Sequence, residues 1–124
     1  MAQEVTLSVG YTVQTDDNDV QRGSVTVVDD TSVTARIGGV RDVAPAANVQ
    51  LPFDGTTTSR LLIIRADGAF NVRIGGAAVD PINVAPVASG QPAVFVATAQ
   101  GASVYVENPG VSASINIKWL LAGV

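Results

Sequence analysis

The chain has 124 residues, of which 15% are charged, and it contains neither cysteine nor histidine. That length fits one domain over residues 1–124 with a core of its own, and the composition excludes disulfides, thiolate chemistry and imidazole catalysis. A net charge of −4, with cations confined to six arginines and Lys118, argues against nucleic acid as a partner.

The first segment alternates. Val5, Leu7, Val9, Tyr11 and Val13 occupy odd positions, with Thr6, Ser8, Gly10 and Thr12 between them. Period two predicts a half-buried strand. Asp16-Asp17-Asn18-Asp19 predicts a turn, Val20–Val28 a second strand, Asp29-Asp30-Thr31 another turn, and Val33–Ile37 a third strand. From Gly38 to Thr58 the pattern breaks down around Pro45 and Pro52. This reads as a long surface excursion with one short strand at Asn48–Leu51. Such connections in small domains are usually functional or covered at an interface.

Arg60–Ala66 and Ala69–Ile74 flank Asp67-Gly68, a two-residue type I′ hairpin signal. Ile82–Val84 reads as a short strand. Ala93–Ala99 and Ala102–Glu107 read as a second hairpin around Gln100-Gly101. After Asn108-Pro109-Gly110, Ile115, Ile117 and Trp119 share one face of a closing strand. The sum is an all-β chain of about eight strands without significant helix. The expected architecture is an antiparallel two-sheet β-sandwich, jelly-roll-like. With hydrophobic residues at 47%, a small β domain has trouble covering its own surface, so burial against other chains is expected.

"RIGG" occurs at Arg36–Gly39 and again at Arg73–Gly76. A phosphate cradle needs a following helix N-terminus or a nearby lysine, and neither copy has one. Both pairs read as strand ends, where glycine supplies positive φ. Asp16–Asp19 lacks the glycine and glutamate of a calcium loop. Asp29-Asp30 cannot flank a glycosidic bond, since that chemistry sets two carboxyls across a cleft. No nucleophile motif is present. The reading is a non-enzyme with no cofactor, no metal and no catalytic residue. Met-Ala-Gln-Glu shows no signal-peptide pattern, and Leu61–Ile64 is too short to span a bilayer, so no membrane association is expected.

Trp119 reads as a core residue. Phe95 and Tyr105 stand out of phase with Val94, Val96, Val104 and Val106, and are expected to face outward from one hairpin. Leu51 and Phe53, in the apolar excursion, are the expected docking anchors. The candidate interface is therefore Leu51, Phe53, Phe95 and Tyr105.

Residues 59–124 carry a wider pattern. "SRLLIIRADGAFNVRIGG" is followed by "AVFVATAQGASVYVENPGVSASINIKWLLAGV". This resembles small β-sandwich virion proteins of tailed bacteriophages, with their Arg-x-Asp-Gly turn, "V-x-N-P" and closing "W-L-L-A-G". The resemblance implies a virion structural protein, foremost a capsid decoration (cement) protein that binds and stabilises the major capsid shell. The implied partners are the major capsid protein or other virion proteins, and further copies of the chain, with a homotrimer at a local threefold axis as the expected form. A tail, neck or fibre component is the alternative. A carbohydrate-binding module is a third reading, which an exposed aromatic pair beside a groove would favour.

Overall fold

The computed structural model describes residues 3–14, 19–52, 59–98 and 103–124. Ten strands run through them: β1 (Gln3–Gln14), β2 (Val20–Val33), β3 (Ala35–Val43), β4 (Asn48–Gln50), β5 (Ser59–Ala66), β6 (Phe70–Ile74), β7 (Ile82–Val84), β8 (Ala93–Ala97), β9 (Val104–Glu107) and β10 (Ile115–Gly123). No helix occurs among the described residues.

Strands β3 to β10 build the sandwich. Sheet I has the order β3-β10-β5-β8, and sheet II the order β4-β9-β6-β7. All pairings are antiparallel. Apart from β6 and β7, each strand lies in the opposite sheet from the one before it. Counted within the sandwich, the orders are 1-8-3-6 and 2-7-4-5, which is the double Greek key of a jelly roll. The expected fold class is what the chain adopts.

The core fills the space between the sheets. On β10 the odd positions point inward: Ile117 and Leu121 are fully buried, Ile115 nearly so, and Trp119 packs against them half-buried. Ile64 and Leu62 of β5 lie beside these in register. Phe70 and Val72 of β6, with Val104 and Val106 of β9, face them from sheet II. Burying each such side chain contributes about 1.5–3 kcal/mol.

The sheet-to-sheet crossings overturn both expected hairpins. Asp67-Gly68 is a corner between β5 in sheet I and β6 in sheet II. Gly68 does not have positive φ; among the described glycines Gly75 and Gly90 do. What Gly68 supplies is room, because a Cβ there would lie 3.1 Å from Ile115 Cγ2. Asp67 ties the corner to β10, its Oδ1 accepting from the Asn116 amide at 2.9 Å. Likewise β8 and β9 lie in different sheets, and Gln100-Gly101 falls outside the described residues.

The expected boundaries in the first third also move. β2 continues through Asp29-Asp30-Thr31 to Val33, with register shifts rather than a turn. Strand β3 runs through the first "RIGG", so Gly38 and Gly39 sit mid-strand opposite Leu120 and Trp119. A Cβ on Gly39 would lie 3.5 Å from Trp119 Nε1. Only the second copy behaves as expected: β6 stops at Ile74 and Gly75 takes φ +110°. The expected excursion is thereby shortened. Its first part is strand, and its short strand is β4, at Asn48–Gln50.

Candidate assembly surface

Strands β1 and β2 form a two-stranded ribbon outside both sheets. The register puts Leu7 opposite Val28, Val9 opposite Val25, Tyr11 opposite Gly23 and Val13 opposite Gln21. Directly paired residues share a face, so one face of the ribbon is apolar. The other carries Thr6 with Asp29, Ser8 with Thr26, and Thr12 with Arg22. The register shift between Leu7 and Ser8 leaves Val27 as the extra residue, which brings both Val25 and Val28 to the apolar side. Tyr11 lies across Gly23, where a Cβ would come within 2.4 Å of its hydroxyl.

The root of this ribbon packs on the outer face of sheet I. Val28 and Val33 form a second small core with Leu61 of β5 and Ala122 of β10, and Val5, Leu7 and Ile63 pack against it. Beyond the root the apolar face is open: Val9, Tyr11, Val13 and Val25 are 45–56% exposed. An isolated two-stranded ribbon is marginal in water, and one with a bare apolar face is suited to a partner.

The outer face of sheet I continues the apolar surface. Ile63 pairs with Leu120 on one side and Val96 on the other. The next row holds Val40, Lys118, Arg65 and Val94. Val40 is 63% exposed. At the end of this face an open depression of about 320 Å³ lies between Arg65, Asp67, Gln91, Asn116 and Lys118. Asp42 on the same face accepts a hydrogen bond from Asn116 Nδ2 at 2.9 Å.

Sheet II presents a different outer face. Glu107 stands in register with Asn48 and Asn71, and Tyr105 with Gln50 and Arg73. Glu107 Oε1 accepts from Asn71 Nδ2 at 2.9 Å and from Arg73 at 3.2 Å. The Asn71 hydrogen bond, with the Arg73 charge beside it, holds the Glu107 carboxyl below its usual range against the opposing effect of desolvation. Arg73 also donates to the Val79 carbonyl. These contacts brace neighbouring strands.

The four expected interface residues do not converge. Tyr105 is outward as expected, half-buried, its hydroxyl 3.4 Å from Gln50 Oε1. Phe95 turns inward instead and packs against the main core, while Val94 and Val96 take the outer face. Ala93, at the start of β8, is fully buried and shares the inward face with Phe95. Phe95 and Tyr105 therefore sit in opposite sheets and make no aromatic pair. Leu51 is fully buried in the protein's own core, and its amide donates to the Val104 carbonyl at 2.9 Å. It is a core residue rather than a docking anchor. Phe53 lies outside the described residues. The exposed ribbon face was missed because its alternation has the same appearance as that of a half-buried strand.

No group of His, Cys, Asp and Glu suited to a metal occurs among the described residues, and no helix among them is long and apolar enough to cross a membrane. No family model matches the sequence, and no curated protein does. Among solved structures, the chain is similar to the cupin domain of Cnp3 from Schizosaccharomyces pombe, at 12% identity over 98% of this chain and 84% of that one, with a TM-score of 0.45.

Proposed function

We propose that the chain is a non-enzymatic structural protein of a tailed-phage virion, of the capsid-decoration kind, binding the major capsid shell as a homo-oligomer. The observation that carries this reading is the ribbon: an arm rooted on a jelly-roll body, with an open apolar face that none of the described strands covers. The pattern of residues 59–124 supplies the virion context. A body of this kind needs rigidity and close-packing surfaces rather than a cleft. The valines and small residues of its outer faces lose little side-chain entropy when covered.

The test is co-sedimentation with shells of the phage that encodes the chain, purified without it. Saturable pelleting with the shells, at a fixed ratio to the major capsid protein, is expected. Protein that stays in the supernatant while pelleting with isolated tails would move the reading to the tail or fibre. Protein that pellets with neither would overturn the virion assignment.

A further inference from the structure

The ribbon and the sandwich differ in charge as well as in shape. Residues 1–33 hold six carboxylates and one cation, Arg22, whereas residues 34–124 hold six cations and five carboxylates. Three of those cations, Arg36, Arg65 and Lys118, lie on the outer face of sheet I, against two carboxylates, Asp42, which accepts from Asn116, and Asp67 at the end of the face. That face therefore combines an apolar row, exposed at Leu120 and Val96 and half-buried at Ile63 between them, with an excess of positive charge. The ribbon combines an exposed apolar row, Val9, Tyr11, Val13 and Val25, with the carboxylate excess of residues 1–33. The two surfaces match in both respects. Their chemistry is already in use within one chain, because the ribbon root packs on Leu61 and Ala122 of this same sheet face.

We propose that the open half of the ribbon from one copy docks on the outer face of sheet I of a second copy. The contact extends the small Val28–Leu61 core across the subunit boundary. Tyr11 packs near Leu120 and Val96, and the acidic ribbon approaches Arg65 and Lys118. The two patches differ, so the contact is head-to-tail and closes into a ring when the rotation permits. The inference rests on the assembly reading only in requiring a second copy; it requires no shell.

The absence of cysteine allows a clean test. Differently tagged copies carrying Tyr11→Cys and Leu120→Cys are co-expressed and treated with a short bis-maleimide linker. Val96→Cys replaces Leu120→Cys should that variant fail to fold. A cross-link between the two tags is expected, with little product when Tyr105→Cys, on sheet II, takes the place of Leu120→Cys. The double variant Arg65→Glu/Lys118→Glu, which places like charges against the ribbon, is expected to weaken self-association about tenfold or more. Absence of the Tyr11–Leu120 product, equal yield with Tyr105→Cys, or dominant linking of Tyr11→Cys to itself would overturn the proposal. Shell binding measured in parallel separates the two ideas, since an arm that binds the shell directly leaves co-sedimentation intact and gives no cross-link.

Discussion

Asn108 is the "N" of the "V-x-N-P" pattern, and its side chain explains why an amide stands there. It is 2% exposed, the one buried polar residue among those described. Its Nδ2 donates to the Val43 carbonyl at 3.0 Å and to the Ala113 carbonyl at 2.8 Å, and its Oδ1 accepts from the Gly110 amide at 2.9 Å. Its backbone bonds the turn between β3 and β4, through Ala46 and Ala47. Asn108→Ala leaves those groups without their partner and should lower stability by about 3 kcal/mol in chemical denaturation; a loss under about 0.5 kcal/mol would show that the clamp carries nothing. The turn it holds contains Ala46 at φ 61°, a left-handed conformation that costs a non-glycine residue about 1 kcal/mol or more. Ala46→Gly is therefore expected to raise the melting temperature. Glu107 supplies a pH dependence. Its carboxyl sits below the usual range in the folded state, so its contribution is present at neutral pH and lost as pH falls through the folded value. Glu107→Gln should destabilise the fold at neutral pH, and the gap from the parent should close on acidification. A gap that stays constant with pH would count against the Asn71–Arg73 bracing.

At the scale of elements, the two copies of "RIGG" are different objects. In the first, a Cβ on Gly38 would fall 2.8 Å from the Trp119 carbonyl oxygen, while one on Gly39 would make ordinary contact with the indole. Gly38→Ala should cost about 1–3 kcal/mol, towards the lower end because β3 is an edge strand and can shift. Gly39→Ala should stay within about 0.5 kcal/mol. Thermal melts of the two variants side by side check the contrast, and equal effects would contradict this placement of the glycines. The strands that were legible in the sequence are those whose alternation continues to one end of the domain. β10 shows it, with Ile115, Ile117 and Trp119 directed inward as expected. What stayed hidden was partner choice. Asp67-Gly68 carries a strong local hairpin signal, yet β5 pairs with β10 and β8. A turn signal fixes that the chain bends and says nothing of which sheet the next strand enters. Phe95 failed for a related reason: its phase against two valines suggested exposure, but it is Phe95, with Ala93, that takes the inward face of β8 while Val94 and Val96 stay outside. Leu51 lies in a stretch without periodicity, and only its hydrogen bond to Val104 shows that the β4–β9 pairing carries it inside.

The whole molecule joins a jelly-roll body to an acidic, half-apolar arm whose open face is proposed to be covered by a neighbouring copy. The candidate surface was legible only as a general excess of apolar over charged residues. Its location required the β1–β2 register, in which the shift at Val27 brings both Val25 and Val28 to the side of Leu7 and Val9. Light scattering coupled to size exclusion tests this claim most directly. The parent protein is expected to elute as a defined multiple of the 12.7 kDa chain mass, and Tyr11→Asp, which puts a charge on the exposed ribbon face, is expected to elute as a folded monomer. A parent protein of 12.7 kDa, or a Tyr11→Asp variant that assembles as the parent does, would contradict the account.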